Sequence, residues 1–214
     1  MTPPRFVHLG ARSEFSLGES LSPVEELCRA AARDGQEALG LADLCSLAAA
    51  PAFHRAALRG GLRPVLGLEL NTLPFGAERF HDTLFRVRLL VESAQGWKRL
   101  LRLANAARGA ERRGPEARPA PHHVPLSAVR DDARGLFLLV GGEHGELTNA
   151  LLNDRLERAE EHLDYLLESW PADRVLVALP APVGAEGARR ARLLAAAAQH
   201  FGLRTIAVPE IHGA

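Results

Sequence analysis

Carboxylates and histidines recur in this chain where apolar runs end: Asp43, Glu69, Glu143 beside His144, and Glu210 two residues before His212. Donors of these types suit a divalent transition metal, and two carboxylates with one histidine can hold a single Mn²⁺ or Zn²⁺. A metal so held polarises phosphoryl oxygens and activates water, which is hydrolytic chemistry. His122-His123 gives a second, weaker signal; without a carboxylate or third histidine at ligand spacing it reads as a solvated pair. Cys28 and Cys45 lack CxxC spacing and read as two reduced packing thiols.

For these groups to meet, the chain must bring distant strand ends to one face. Periodicity predicts seven strands, Arg5–Leu9, Glu37–Ala42, Pro64–Leu70, Leu84–Val91, Gly135–Val140, Arg174–Leu179 and Arg204–Val208, with helices between them. The first helix is expected to open on a capping box, Ser22-Pro23-Val24-Glu25, and to stop at Asp34-Gly35. Arg59-Gly60-Gly61 and Phe201-Gly202 likewise precede strands, so helix, glycine cap, strand recurs as a unit. A further helix over Leu152–Trp170 carries an apolar stripe of Leu152, Leu156, Ala159, Leu163, Leu166, Leu167 and Trp170. Repeated βα units imply an α/β fold, a parallel sheet or barrel covered by helices, in one domain spanning 1–214. In such barrels the working residues stand at the carboxyl ends of strands, which is where Arg12, Asp43, Glu69, Glu143, His144, Glu210 and His212 fall.

Composition narrows the functional classes. With 47% hydrophobic residues in 214 the chain can bury a sizeable core, and 26 basic against 26 acidic residues give no overall field toward nucleic acid. Lys98 is the one lysine; the arginine excess reads as coding bias. No apolar run reaches the roughly 20 residues that span a bilayer, and the N-terminus lacks a signal-peptide core, so a cytoplasmic location without membrane contact is expected. The stretch Arg108–Val124, rich in Arg, Pro and Gly, is the one long loop expected; its arginines could touch phosphates, but a surface loop is the simpler reading.

The order of the motifs carries a resemblance. Phe6-Val7-His8-Leu9-Gly10-Ala11-Arg12-Ser13-Glu14-Phe15-Ser16, then Ala38-Leu39-Gly40-Leu41-Ala42-Asp43, then Arg63-Pro64-Val65-Leu66-Gly67-Leu68-Glu69 resembles the start of the polymerase and histidinol phosphatase (PHP) domain of bacterial C-family DNA polymerases, the DNA polymerase III alpha subunit and its error-prone counterpart. Gly96-Trp97-Lys98-Arg99-Leu100, Gly135–Gly142 and Ile206–His212 extend it colinearly to the end of the chain. The resemblance implies a distorted seven-stranded (βα)7 barrel. In metal-bearing relatives it also implies nine ligands around three metal ions that support phosphoester hydrolysis. No palm, fingers or thumb sequence follows, so no polymerase active site is expected.

Carried over residue by residue, the ligand set is incomplete. The family's first His-x-His falls on Gly10 and Arg12, the histidine of its Thr-Asp-His on Leu44, its fourth-strand histidine on Arg86 and its fifth-strand ligand on Gly142. His8, Glu19, Asp43, Glu69, Glu210 and His212 are the vestigial metal-site positions that remain, and five of nine ligand positions are lost. No metal cofactor is therefore expected, with a single Zn or Mn in a reduced site as the exception. The resemblance leads instead to Arg12 and Arg86 as metal-replacing cations that pair with Glu19, Glu69 or Glu210.

The expected function is thus a largely non-catalytic scaffold in DNA replication or translesion synthesis. Its expected partners are the remainder of a DNA polymerase, replisome or translesion proteins, or a proofreading exonuclease. The end at Ala214 suits either an excised domain or a free-standing relative. The alternative is a metal-dependent phosphoesterase or 3′-5′ exonuclease using Glu69, Glu210, His212 and Asp43 or His8. A third reading is nucleic-acid binding through the arginine-rich loop, with weak or no direct DNA binding expected.

Overall fold

The computed structural model describes residues 6–80, 83–109, 121–131 and 133–208. Among these, seven strands alternate with helices: β1 (His8–Ala11), α1 (Val24–Arg33), β2 (Ala38–Leu41), α2 (Ala50–Arg59), β3 (Arg63–Thr72), β4 (Phe85–Val91), α3 (Ala94–Gly109), α4 (Leu126–Arg130), β5 (Leu136–Gly141), α5 (Glu146–Leu152), α6 (Leu156–Leu167), β6 (Val175–Leu179), α7 (Gly184–His200) and β7 (Arg204–Ala207). They form one seven-stranded sheet in sequence order that curls into a half-barrel. The curl brings Leu9 of β1 and Ile206 of β7 into a single interior cluster with Leu90, Leu139, Ala178 and Val208.

Alternation along the strands sends the other side chains outward. Leu68 and Leu70 of β3, Val87 and Leu89 of β4, Leu138 and Val140 of β5, and Val175 and Val177 of β6 pack beneath the helices in the largest core cluster. A second cluster joins α1 and α2 to the first two strands through Val24, Cys28, Leu39, Leu41 and Phe53. Both cysteines are free and buried, and burial pushes each thiol above its ordinary pKa. Three of the turns that lead from a helix into a strand use a glycine with positive φ, at Gly35, Gly61 and Gly202.

The sheet is mixed, not all parallel. β4 runs antiparallel to both β3 and β5, while every other pairing is parallel. No helix occurs among the described residues between β3 and β4, so the chain returns directly beside β3, and a return without a crossover must be antiparallel. The consequence for the site is direct: the amino end of β4, not its carboxyl end, joins the face where the other strands finish. In the antiparallel register Arg88 stands opposite Glu69 and Arg86 opposite Asn71.

Several local expectations are corrected. β1 begins at His8 and not Arg5, which puts Gly10 and Ala11 inside the strand; β3 continues past Leu70 to Thr72, so Glu69 lies within it. The capping box is not made. Pro23 caps α1 without a side-chain bond, Glu25 is exposed, and the Ser22 carbonyl accepts from the Glu14 amide instead. The expected helix Leu152–Trp170 is divided between α5 and α6, and Leu156 is 61% exposed, outside the stripe. Trp170 is buried beyond the end of α6, its indole Nε1 donating to the Val129 carbonyl at 3.2 Å. Of the loop expected over Arg108–Val124, α3 takes in Arg108 and Gly109, residues 110–120 lie outside the described residues, and Val124 bridges Thr72. His123 is buried against Phe80, with Nδ1 2.7 Å from the Pro121 carbonyl, so the histidine pair is not uniformly solvated.

Candidate functional site

The β1–α1 loop is fixed to the sheet by short polar side chains. Asp43, two residues past the end of β2, is buried and accepts from the Ser13 amide at 2.6 Å, the Ser13 hydroxyl at 2.8 Å and the Ser16 hydroxyl at 2.8 Å. Ser16 Oγ accepts in turn from the Leu44 amide, and the Ser20 hydroxyl donates to the Arg12 carbonyl. Both Asp43 oxygens are thus occupied by loop donors, and the loop is held with Arg12 at its start and Glu19 over the mouth of the curl.

Within that mouth five side chains form an alternating series of charges. Arg86 grips Glu19 with two nitrogens, at 2.7 and 3.2 Å. Arg12 reaches Glu19 at 3.4 Å and binds Glu69 Oε2 through Nη2 at 2.6 Å and Nε at 2.9 Å. Arg88 closes the series on Glu69 Oε1 at 3.1 Å. Arg12, Glu69 and Arg88 are buried, at 6%, 4% and 6% exposure, whereas Glu19 and Arg86 sit at the opening. The hydrogen bond from Arg86 holds the Glu19 carboxyl below its ordinary pKa against the opposing effect of burial, with the charges of Arg86, Arg12 and His144 adding to the lowering.

Of the residues singled out from sequence, Arg12, Glu19, Glu69 and Arg86 are brought together. Asp43 adjoins them through the loop but serves the serines. His8 is buried and directed to its own strand, Nδ1 accepting from the Gly10 amide at 3.3 Å. Glu210 and His212 lie outside the described residues. Arg88 is the group sequence reasoning missed. Its signal was the alternation Phe85-Arg86-Val87-Arg88-Leu89, which puts two arginines on one strand face.

A multinuclear metal centre does not fit the described residues. Three or more His, Cys, Asp or Glu side chains arranged to share an ion are not found among them. Gly10, Leu44 and Gly142 offer no side-chain donor, and each Glu69 oxygen already faces a guanidinium. Gly10 is informative: a Cβ built there would lie 2.4 Å from Arg88 Nη1 and 2.8 Å from Val208 Cγ1. The space that a larger side chain at position 10 would need is filled by Arg88. Among the described residues three guanidiniums, from Arg12, Arg86 and Arg88, face the two carboxylates of Glu19 and Glu69, and cations of this kind cannot act as metal ligands.

A second buried ionic group was also missed. Glu146, at the start of α5, accepts from the Phe75 amide at 2.8 and 3.0 Å, from Arg158 at 3.0 Å, and lies 3.4 Å from His162 Nδ1. Arg158 also donates to the Phe75 carbonyl. Burial opposes ionisation of Glu146, but His162, the Phe75 amide and Arg158 together lower its pKa. This group ties the β3–β4 connection to α5 and α6.

The curled seven-stranded sheet and the charged group in its mouth can be placed by comparison with known proteins. The PHP domain profile matches residues 8–181. The chain belongs to the PHP domain family. It is 35% identical over 167 residues to the error-prone DNA polymerase of Symbiobacterium thermophilum, covering 72% of this chain and 14% of that protein. The DNA polymerase III alpha subunits of Vibrio cholerae and Escherichia coli are 29% and 28% identical over 168 and 181 residues, covering 77% and 84% of this chain. The matches span only 14% and 15% of those two proteins. Among solved structures, a Bifidobacterium adolescentis protein assigned as a metal-dependent phosphoesterase superposes with a TM-score of 0.64 at 13% identity, covering 99% of this chain and 89% of that one. An amidohydrolase from Chromobacterium violaceum, with bound sulfate and no metal, gives 0.61 at 12% identity, covering 96% and 87%. These likenesses establish a PHP fold related to the polymerase III alpha subunit.

Proposed function

We propose that this chain is a non-catalytic PHP scaffold of the C-family DNA polymerase lineage, working through protein contacts in replication or translesion synthesis. One observation carries the reading: the carboxylates facing the mouth of the curl, Glu19 and Glu69, are held by Arg12, Arg86 and Arg88. Carboxylates gathered in a partly buried pocket repel one another unless positive charge is supplied. Metal ions supply it in a hydrolase; arginine supplies it permanently and in a geometry that satisfies both oxygens. In this reading Arg12 and Arg86 are the metal-replacing cations, Arg88 is a third, and His8, Asp43, Glu210 and His212 are vestiges. The relatives are polymerases many times longer than this chain, which favours a partner among polymerase, replisome or translesion proteins, a proofreading exonuclease included, in the cytoplasm. The chain acts as one domain.

The competing reading is a metal-dependent phosphoesterase or 3′-5′ exonuclease with one Zn²⁺ or Mn²⁺ on Glu69, Glu210 and His212, assisted by Asp43 or His8. The name of the Bifidobacterium neighbour favours it; the engagement of Glu69 by two arginines and of Asp43 by two serines opposes it. Incubation of the purified protein with Mn²⁺ or Zn²⁺ and a single-stranded oligonucleotide separates the two. The scaffold reading expects no turnover above that of Glu69→Ala; turnover that Glu69→Ala abolishes would establish the enzyme.

A further inference from the structure

Charge balances over the whole chain but not over α3. This helix carries Lys98, Arg99, Arg102 and Arg108 and not one carboxylate. It lies along β3 and β4 and buries Leu100, Leu103 and Ala107 in the largest core cluster. With 3.6 residues per turn, Lys98, Arg102 and Arg108 fall on the opposite side, with Asn105 between them, and all four are exposed. From Lys98 to Arg108 the stripe runs about 15 Å along the helix.

These cations are unpaired. On α1, Arg33 reaches Glu26, and on α7, Arg189 and Arg190 reach Asp154, Glu143 and Glu186. Among the described residues the Lys98, Arg102 and Arg108 side chains make no ion pair or hydrogen bond, and Glu92, just before the helix, is taken by Arg174. Lys98 and Arg102 stand one turn apart, where like charges destabilise a helix, and no described carboxylate offsets their repulsion. Beside the stripe, on the side of Arg108, lie Trp97, half-buried, and Leu101, 40% exposed.

We propose that the outer face of α3 binds single-stranded nucleic acid, its phosphates on Lys98, Arg102 and Arg108 and a base on Trp97. A row of cations without interspersed carboxylates makes a local positive field in an otherwise neutral molecule, and its length has room for several phosphates. An aromatic side chain beside such a row is what lets a protein hold unpaired bases without reading their sequence. A duplex fits less well, because α3 is packed flat on the sheet and cannot enter a groove, and paired bases are closed to Trp97. A lipid surface fits less well too, since Trp97 and Leu101 alone offer too little apolar area to insert. This inference goes beyond the scaffold reading and does not depend on the state of the charged mouth.

The probe is a fluorescein-labelled oligothymidylate of twelve nucleotides, titrated with the intact protein and followed by anisotropy. Saturable binding is expected, weakening about twentyfold between about 50 and 200 mM salt, as three phosphate contacts to a single strand require. Replacing Lys98, Arg102 and Arg108 together by Ala, all at exposed positions, abolishes it, whereas replacing Arg55 and Arg59, exposed arginines of α2, leaves it unchanged. Trp97→Ala weakens binding about tenfold, the worth of one stacked base, and Trp97→Phe restores it. Should the alanine variant not fold, tryptophan emission gives the same answer: the unlabelled oligonucleotide quenches the wild type, and Trp97→Phe, which leaves only buried Trp170, removes the quenching. No binding up to about 1 mM, binding that survives the triple variant, equal loss on replacing Arg55 and Arg59, or unquenched emission at saturation would overturn the proposal. So would equal or tighter binding of a duplex or of a polyglutamate peptide.

Discussion

Two buried ionic groups in this fold solve different problems with the same residue types. The Glu146 group is largely local: α5 and α6 supply the charges, and the carboxylate is satisfied partly by the Phe75 amide. The group in the mouth of the curl is assembled from four places, Arg12 after β1, Glu19 from the following loop, Glu69 from β3 and Arg86 with Arg88 from β4. The first fastens a loop to two helices. The second ties the β1–α1 loop to β3 and β4, which the ladder already pairs with Arg88 opposite Glu69. Under the scaffold proposal, guanidiniums in the second take the place of metal ions, so the carboxylates of the mouth depend on them for charge balance.

The comparison can be broken at its centre. Glu69→Ala leaves Arg12 and Arg88 buried without their shared anion and is expected to cost about 3–5 kcal/mol in chemical denaturation. Glu146→Gln keeps the shape and part of the hydrogen bonding and should cost less, about 1–3 kcal/mol. An equal or reversed order would mean that the mouth group contributes no special stability. Gly10→Ala tests the packing in the mouth, because its new methyl meets Arg88 and Val208. A loss of about 1–3 kcal/mol is expected, and it should shrink when Arg88 is also replaced by the shorter Gln.

Glu19, at the opening, should matter least. Glu19→Gln is expected to cost under about 1 kcal/mol at neutral pH, since its pairs are partly solvated. Its signature is instead in acid. Both Glu19 and Glu146 have folded-state pKa values below the ordinary 4.5, so each contributes stability above that value that is lost as pH falls through the lowered one. Wild-type stability should therefore fall as pH drops below about 4.5, and each Gln variant should flatten part of that fall in denaturation curves taken at stepped pH.

Much of this architecture is legible in the residues. Seven apolar runs became seven strands because period-two alternation and glycine-terminated helices are local signals that tertiary structure had no reason to override. The direction of β4 was not legible, because nothing in Phe85–Val91 states which neighbour it will lie against; the missing helix before it was the clue. Arg88 went unnoticed for the same reason: a rule that places working residues at the carboxyl ends of strands looks at the wrong end of an antiparallel strand. Glu146 and His162 sit 16 residues apart on different helices, and only the packing of α5 on α6 joins them. The capping box failed because α1 takes Pro23, not Ser22, as its N-cap, and proline has no side-chain acceptor to offer.

The central claim is that protein cations stand where the family's metal ions would. The most direct measurement is elemental analysis of protein purified from cells supplied with zinc and manganese, paired with thermal unfolding before and after treatment with a strong chelator. Substoichiometric metal and an unchanged melting temperature are predicted. Two or three ions per chain, or a melting temperature that falls on chelation and recovers when zinc or manganese is returned, would contradict the account.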